Sequence, residues 1–264
     1  MAGEPSAGSR FLTPQLPRVF AHRGLSLDVP ENTIAAFQAA VDAGAEYIET
    51  DVHATADGVA VLVHDPEIVV DGVVHAVRNL TLDHLRQLDL GRGHRVPTLA
   101  GALVAFPETR FNIDIKSELA AGPAARTIRT EKATNRVLVT SFDEARRLRA
   151  IETLDQVATS ASSRLVTRAL LGAKTGATGF VRRSLSDVRV LQIPERHKNV
   201  RLVTPRTIRA LHRAGVEVHV WTVNDPTDMQ RLLRWGVDGL ITDRVDLALP
   251  IVRSWQLNPD ESGR

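Results

Sequence analysis

The sequence predicts an α/β protein folded as a (β/α)8 TIM barrel, and three observations point to that fold. Short β-branched runs alternate with longer segments of helical periodicity, as in a parallel sheet whose crossovers are helices. Eight such runs can be found, and eight strands close this barrel. The chain of 264 residues also suits a single domain, because the barrel typically takes about 250 residues.

The eight predicted strands are spread over almost the whole chain. They are Arg18–His22, Glu46–Val52, Arg110–Ile115, Arg136–Thr140, Gln156–Ser160, Val188–Ile193, Val216–Thr222 and Asp238–Thr242. A doubly wound open sheet is the alternative arrangement of these elements. It would normally carry a glycine-rich phosphate loop after an early strand, and because the sequence has none the closed barrel is favoured.

Helices are predicted where apolar residues recur at helical spacing. The clearest are Thr33–Ala43, Pro205–Ala214 and Thr227–Trp235. Gly44, Gly215 and Gly236 follow these helices, and each is expected to take the left-handed conformation that ends a helix. The motif Pro30–Glu31–Asn32–Thr33 is interpreted as ordinary chemistry at a helix start.

The second strand departs from the repeat. Residues 54–58 lie between it and another strand-like run, Val59–His64, and five residues cannot house a crossover helix. We therefore predict a β-hairpin extension after strand 2, with Asp57–Gly58 in its turn. Folding about that turn brings His64 into the neighbourhood of Glu49.

The remaining segments complete the predicted domain organisation. Residues 65–97 are expected to form a small insertion before strand 3 that folds over the barrel mouth, and residues 18–256 a single barrel domain. Residues 1–17, rich in Gly, Pro and Ser, are predicted to be a disordered arm, and residues 257–264 a flexible tail. No apolar run is long enough for a secretory signal or a membrane span, so we expect a cytoplasmic protein without integral membrane association.

Composition excludes several classes of protein. The absence of cysteine excludes disulfides and thiolate chemistry. The formal charge is only +2, aromatic residues make up 4%, and the basic residues are dispersed along the chain, so a nucleic-acid interface is not expected. Composition predicts no particular oligomeric state.

Acidic residues stand where the predicted strands end, which is where a parallel barrel carries its active groups. Glu49 and Asp51 are two residues apart on one strand and point to the same face, and Asp114 ends the next strand of the barrel. Three carboxylates inside a barrel are costly to bury unless a cation lies between them, and oxygen ligands favour Mg²⁺ or Ca²⁺. The alternative is a structural ion network of these acids with Arg23 and Lys116.

The neighbouring basic residues suit a phosphodiester. Arg23 and Lys116 can neutralise phosphoryl oxygens, while His22 and His64 lie beside the acids and can donate and accept protons near neutral pH. The other seven histidines are expected at the surface or in packing. Trp221, at a strand end, either lines the pocket or plugs the barrel mouth.

Together these motifs resemble those of the glycerophosphodiester phosphodiesterase family. The resemblance rests on His22–Arg23–Gly24, Pro30–Glu31–Asn32–Thr33, Glu49–Thr50–Asp51–Val52, Asp57–Gly58, His64–Asp65, Asp114–Ile115–Lys116, Val220–Trp221–Thr222–Val223–Asn224 and residues 236–243. It spans roughly residues 19–250, and the order and spacing of the motifs make it specific.

This resemblance implies an enzyme that hydrolyses glycerophosphodiesters, such as glycerophosphocholine or glycerophosphoethanolamine, to sn-glycerol 3-phosphate and an alcohol. It also implies the roles of the candidate residues: acid–base catalysis by His22 and His64, binding of Mg²⁺ or Ca²⁺ by Glu49, Asp51 and Asp114, and phosphate contact by Arg23 and Lys116. Trp221 is a further substrate-binding candidate because it stands at a strand end.

Some alternatives stay open at this point. Asp114 stands where the family usually has glutamate, and its shorter side chain favours Ca²⁺ over Mg²⁺. The substrate could be a lysolipid cleaved by a lysophospholipase D-like reaction, or the barrel could bind phosphodiesters without turnover. An amidohydrolase is disfavoured, because that class needs a His-x-His pair after the first strand and only His22 is present.

Overall fold

Strands and helices alternate along the computed structural model, which describes residues 10–13 and 15–257. The strands are β1 (Arg18–His22), β2 (Tyr47–Ala54), β3 (Ala60–Leu62), β4 (Glu67–Val70), β5 (Val73–Ala76), β6 (Arg110–Ile115), β7 (Val137–Thr140), β8 (Ala158–Thr159), β9 (Val190–Pro194), β10 (Arg196–His197), β11 (Val200–Arg201), β12 (Glu217–Trp221) and β13 (Gly239–Thr242). The α-helices are α1 (Ile34–Asp42), α2 (Leu82–Leu85), α3 (Leu99–Ala105), α4 (Glu118–Thr130), α5 (Glu144–Ile151), α6 (Ser163–Thr175), α7 (Thr178–Ser184), α8 (Pro205–Arg213), α9 (Pro226–Trp235) and α10 (Val245–Leu257). Short 3-10 helices cover Arg10–Leu12, Val77–Asn79 and Thr134–Arg136.

Eight parallel strands form the barrel, in the order β8-β7-β6-β2-β1-β13-β12-β9. A parallel bridge between Ser160 and Val190 joins the two ends of this row, and Ala161 N donates to Val190 O at 3.0 Å beside it. The predicted (β/α)8 fold is therefore confirmed. Each of the eight predicted strands is present, and its ends differ from the prediction by no more than one or two residues.

The hydrophobic core lies in two layers, one inside the barrel and one between the strands and the helices. Alternate residues of each strand point inward, so Phe20, Tyr47 and Ile241 fill the interior while their neighbours pack against the helices. The glycine prediction is confirmed at the helix ends, where Gly44, Gly215 and Gly236 have φ of +97°, +80° and +90°.

The predicted hairpin extension is also present. β2 and β3 are antiparallel, with Val52 opposite Leu62. The insertion that follows forms a second hairpin, β4–β5, with Asp71 in its turn, and a short helix, α2. Its apolar side chains pack on Val61 of β3, and Arg92 donates to the carbonyl oxygen of Asp28 in the loop after β1, at the C-terminal side of the barrel.

The segment before β1 differs from the predicted disordered arm of residues 1–17. In its described part, Phe11 is fully buried at the N-terminal end of the barrel, with its ring centroid 5.1 Å from that of Tyr47. Tyr47 Oη donates to Phe11 O at 2.7 Å, and Arg18 donates to Leu12 O at 2.5 Å. Burial of this aromatic ring anchors the described part of the segment, because burying a large aromatic side chain stabilises the fold several times more than burying a small residue.

Residues 1–9, 14 and 258–264 lie outside the described residues, and most of the predicted C-terminal tail is among them. Across 10–13 and 15–257, none of the helices has the length and the hydropathy needed to cross a bilayer.

Candidate active site

Strand alternation brings the site residues together at the C-terminal end of the barrel. Phe20 and Tyr47 fill the barrel interior, and the next inward positions on their strands are His22 and Glu49. These two residues are register partners across β1 and β2, as Asp51 and Asp114 are across β2 and β6. The polar residues therefore form one layer directly above an apolar layer.

Asp51 is the centre of an ion network. It is 1% exposed, and its two oxygens lie 2.9 Å from Lys116 Nζ and 3.0 Å from Arg23 Nε. Burial alone would raise the pKa of Asp51, but the charges of Lys116 and Arg23 outweigh it and hold that pKa below its usual value. Lys116 Nζ also lies 2.7 Å from Asp114 Oδ2. Burial acts to lower the pKa of Lys116, and the two carboxylates more than reverse this effect.

The cations Lys116 and Arg23 do not fully compensate the negative charge of the other two acids, Glu49 and Asp114. Burial, followed by the charges of Asp51 and Asp114, raises the pKa of Glu49 well above its usual range. Burial likewise raises the pKa of Asp114 despite the contact with Lys116, and Asp114 Oδ1 is buried with no hydrogen-bond partner in the described residues. The charge of Arg23 is divided between two carboxylates, because its Nη1 also donates to Glu31 at 2.8 Å. A structural ion network thus exists, but it leaves uncompensated negative charge.

These observations fit a hard divalent cation by the chemistry of the donor set. Glu49, Asp51 and Asp114 supply carboxylate oxygens from adjacent strands, and such oxygens are the preferred ligands of Mg²⁺ and Ca²⁺. As the side chains are placed, however, no three His, Asp or Glu residues of the described chain enclose a common point, and Lys116 Nζ lies between Asp51 and Asp114. The fit therefore rests on the uncompensated charge and the unpartnered oxygen.

Both candidate histidines are oriented by a carboxylate. His22 Nδ1 lies 2.6 Å from Asp243 Oδ1, and His64 Nδ1 lies 2.8 Å from Asp65 Oδ1. A carboxylate at Nδ1 holds the ring proton there and leaves Nε2 available for proton transfer. Within the described residues neither Nε2 has a hydrogen-bond partner, and His22 Nε2 lies 3.9 Å from Glu49 Oε2.

The hairpin extension carries His64 to the site. Val63 N donates to Asp51 O at 3.1 Å, which holds the returning arm of the hairpin beside Asp51 of β2. His53 Nε2 lies 3.2 Å from the carbonyl oxygen of His64. His53, interpreted from sequence as a packing or surface residue, is buried and supports the backbone of the catalytic candidate.

The interpretation of Pro30–Thr33 as a helix start alone is wrong. Thr33 does cap α1, but Asn32 is 3% exposed and donates from Nδ2 to Asp51 Oδ2 at 3.0 Å. Asn32 Oδ1 accepts from Thr50 Oγ1 at 2.7 Å. Asn32 has φ +55°, a conformation that asparagine tolerates better than most residues, and local capping chemistry gives no sign of this long-range contact.

The site residues line one cavity of about 750 Å³ at the barrel mouth. The lining includes all eight candidates: His22, Arg23, Glu49, Asp51, His64, Asp114, Lys116 and Trp221. Of the two roles considered for Trp221, the structure shows it lining the cavity, with its ring perpendicular to that of Phe142 at 5.8 Å. His197 also lies on the cavity wall, although the sequence suggested only a surface or packing position.

Comparison with known proteins agrees with the sequence motifs. The model of the glycerophosphoryl diester phosphodiesterase family matches residues 22–247, most of the chain. The chain belongs to this family. The probable glycerophosphodiester phosphodiesterase 2 of Mycobacterium tuberculosis is 43% identical over 230 residues, which cover 86% of this chain and 87% of that protein.

Two further relatives extend the comparison. A glycerophosphodiester phosphodiesterase of Caldanaerobacter subterraneus is 31% identical over 252 residues, covering 89% of this chain and 97% of that protein. The structure of an Oleispira antarctica phosphodiesterase, in complex with the product sn-glycerol-3-phosphate, has a TM-score of 0.74 at 23% identity and covers 90% of this chain and 97% of that one. The family resemblance inferred from the motifs is confirmed, and the fold is shared with a solved structure of low sequence identity.

Proposed function

We propose that this protein is a metal-dependent glycerophosphodiester phosphodiesterase, which hydrolyses glycerophosphodiesters to sn-glycerol 3-phosphate and an alcohol. One observation carries the proposal: two carboxylate-oriented histidines, His22 and His64, line the same cavity as a buried acidic cluster and two cations. Relatives at 43% and 31% identity that bear the name of this activity support it.

The phosphodiester is bound by charge. Arg23 offers a guanidinium and Lys116 an ammonium group to the phosphoryl oxygens, and both side chains are partly buried, which strengthens their interaction with an anion. Glu49, Asp51 and Asp114 would hold Mg²⁺ or Ca²⁺. When bound, such an ion neutralises phosphoryl oxygen charge as a Lewis acid.

The two histidines supply the proton transfers. One removes a proton from the glycerol 2-hydroxyl or from a water molecule as that oxygen attacks phosphorus, and the other protonates the departing alkoxide, which is otherwise a poor leaving group. Attack by water gives glycerol 3-phosphate directly, whereas attack by the 2-hydroxyl gives a cyclic glycerol phosphate that a water molecule then opens to glycerol 3-phosphate. We assign the base to His22, because Asp243 holds its Nδ1 proton and its Nε2 faces the acidic cluster. We assign the acid to His64, whose side chain is 37% exposed and lies on the hairpin arm, on the solvent side of the site.

The test measures release of glycerol 3-phosphate from glycerophosphocholine with a chelator and then with each added cation. His22→Ala and His64→Ala should each lower kcat by about 10²- to 10⁴-fold. His84→Ala, on the exposed face of α2, is the matched control and should retain wild-type activity. Substrate binding without product release would favour a silent phosphodiester-binding barrel, and near-normal activity of either site variant would remove that histidine from the mechanism.

A further inference from the structure

Arg146, in the first turn of helix α5, bonds to the backbone at the end of strand β6. Its Nη1 donates to Lys116 O at 2.7 Å and to Ile115 O at 3.1 Å. Ile115 O accepts a second hydrogen bond, from Ser141 Oγ at 2.9 Å, so loss of Arg146 would free the carbonyl of Lys116 in particular. Arg146 therefore fixes the backbone of the residue whose ammonium group is proposed to bind phosphate.

The position of Arg146 within its own helix does not favour a cation. Asp143 caps α5 and accepts from Arg146 N at 2.8 Å, which places Arg146 in the first turn. The helix dipole disfavours a positive charge there. Arg146 Nε is also buried without a hydrogen-bond partner in the described residues, which is a second cost. The contacts that offset these costs lie outside the helix, at the two carbonyl oxygens that end β6.

The chain segment that carries Arg146 also contacts the side chain of Lys116. Phe142 directly precedes the cap of α5, and its ring centroid lies 5.8 Å from Lys116 Nζ. Lys116 Nζ is further held 2.9 Å from Asp51 Oδ1 and 2.7 Å from Asp114 Oδ2. Because the ammonium group is held from several sides, a shift of the backbone would break one of these contacts or force the stem out of its preferred rotamers. Residues 142–146 thus hold Lys116 at both its backbone and its ammonium group.

The charge of Arg146 acts on the acidic cluster from behind the cavity wall. Burial raises the pKa of Asp114, and the charges of Lys116 and Arg146 oppose that rise. Lys116 lines the cavity, whereas Arg146 lies outside the lining. Arg146 is therefore close enough to influence the site but is not placed to contact a substrate.

We propose that Arg146 is a positioning residue of the phosphodiesterase reaction, which holds the backbone of Lys116 so that its ammonium group meets the phosphoryl oxygens. The inference rests on the proposed function, in which Lys116 binds the phosphodiester. Loss of Arg146 should weaken the binding of phosphate-bearing ligands and affect turnover less, because Lys116 contacts the phosphate both before and during the reaction.

Arg136 offers a control with the same chemistry at the opposite end of the barrel. Its guanidinium group donates to three backbone carbonyls in the segment that leads into β6, at 2.7, 3.1 and 2.8 Å, namely those of Leu103, Phe106 and Thr109. Arg136→Gln thus removes the same kind of contact from the same strand without approaching the cavity. A purely structural role of Arg146 would give both arginines the same phenotype.

Steady-state kinetics with glycerophosphocholine compare these variants. Arg146→Gln should raise KM by about tenfold, because a weakened charge-assisted hydrogen bond to phosphate costs about that factor, and should change kcat by less than about threefold. Arg146→Lys keeps the charge and a donor, so its KM should lie between those of Arg146→Gln and the wild type. Arg136→Gln should lower the Tm at least as much as Arg146→Gln but leave KM within about twofold of the wild type. Equal changes in KM for Arg146→Gln and Arg136→Gln would overturn the proposal.

A second control removes charge without removing a backbone contact. Arg149, on the same helix, is 62% exposed and lies 2.8 Å from Glu118. Arg149→Gln should leave KM within about twofold of the wild type, because an exposed charge is screened by solvent. A rise in KM equal to that of Arg146→Gln would assign the effect to net charge and contradict a positioning role.

A double-mutant cycle tests whether Arg146 acts through Lys116. Isothermal titration measures the binding of sn-glycerol 3-phosphate, so no turnover is needed. Arg146→Gln should weaken binding by about tenfold in the wild type and by less than about twofold in a protein that already carries Lys116→Gln. Equal effects in the two backgrounds would show that Arg146 does not act through Lys116.

The crystal structure of the Arg146→Gln variant separates this inference from the proposed function. Lys116 Nζ should move by more than about 1 Å from Asp51 or Asp114 while the barrel strands stay in place. An unmoved Lys116 in the folded variant would overturn the inference even if the wild type hydrolyses diesters. A wild type that releases no glycerol 3-phosphate, combined with a displaced Lys116 and weaker ligand binding in the variant, would refute the proposed function and still support the role of Arg146.

Discussion

Replacement of Asp243 by asparagine tests whether a fixed tautomer of His22 is needed for catalysis. Asp243 Oδ1 lies 2.6 Å from His22 Nδ1, while Asp243 Oδ2 accepts a hydrogen bond from Asn224 Nδ2 at 2.7 Å. In the Asp243→Asn variant the Asn224 donor would hold the amide oxygen on its own side. The new amide NH₂ group would then face His22 Nδ1, which has to accept, and the ring proton would move to Nε2.

That exchange places the proton on the atom that has to act as the base. We expect kcat for glycerol 3-phosphate release to fall by about 10³- to 10⁴-fold, the scale of a histidine base held in its wrong tautomer. The free energy of unfolding should change by no more than about 1 kcal/mol, because both hydrogen bonds of the side chain persist with one donor reversed. Half of the Asp243 side chain is exposed, which keeps the structural cost low.

The assay follows product release across pH, with thermal unfolding measured on the same samples. Asp65→Asn is the matched control, because Asp65 contacts His64 in the same way but is 73% exposed, so water can solvate either tautomer. Its effect should be at least about tenfold smaller than that of Asp243→Asn. Full activity of a folded Asp243→Asn protein would refute the assignment of His22 as a base oriented through Nδ1.

Three further predictions concern the acids and the two ends of the barrel. Because the pKa of Glu49 in the folded state lies above its unfolded value of about 4.3, the metal-free native state binds more protons than the unfolded state and loses stability as pH rises above that value. Glu49→Gln should therefore abolish activity and raise the Tm of the metal-free protein at neutral pH, and the gain in Tm should vanish near pH 4. An unchanged or lower Tm at neutral pH would contradict this reasoning. Asn32→Ala removes the hydrogen bonds to Asp51 and Thr50 and places alanine at φ +55°. Chemical denaturation should therefore show a free energy of unfolding lower by about 3 kcal/mol, and titration should show weaker cation binding; a loss of stability alone would refute a role of Asn32 in the site. Phe11→Ala should lower the free energy of unfolding by about 3 to 5 kcal/mol with kcat unchanged, and a mild effect would show that the N-terminal segment contributes little.

The fold could be predicted because each of its signals is local. A β-branched run, a helical period and a glycine at a helix end are each contained within a dozen residues, and their repetition identifies the barrel. The same locality explains the predicted hairpin, since residues 54–58 are too few for a helix. Placement of the candidate residues followed from two rules, that strand side chains alternate and that parallel strands end at one face, and these put Glu49 and Asp51 in the cavity.

The features that escaped prediction depend on long-range partners. Asn32 bonds to Asp51, and Asp243 holds His22 from 221 positions along the chain, so neither role is visible in its own neighbourhood. The burial of Phe11 was not predicted because the composition of residues 1–17, rich in Gly, Pro and Ser, is typical of a disordered segment. The burial of one aromatic ring is a stronger effect than that composition. Asp65 and Asp243 each directly follow a strand or hairpin arm at the catalytic end. That position marks them as candidates for the site, but it does not show that each would contact a histidine.

The two ends of the barrel differ in how fully their buried charges are paired, and this difference separates residues that stabilise the fold from residues that serve catalysis. At the N-terminal end the buried Arg18 is paired with Glu217 and bonded to Leu12, above an aromatic cluster around Phe11. At the C-terminal end the two cations only partly compensate Glu49 and Asp114, which is costly in the free protein and would become favourable if the proposed cation and a phosphate bound there. A substitution that relieves charge at the catalytic end should therefore stabilise the metal-free protein and impair turnover, whereas one that disrupts the opposite end should destabilise the protein and spare turnover. That opposition follows from the barrel itself, because the interior apolar layer of Phe20, Tyr47 and Ile241 separates the two ends.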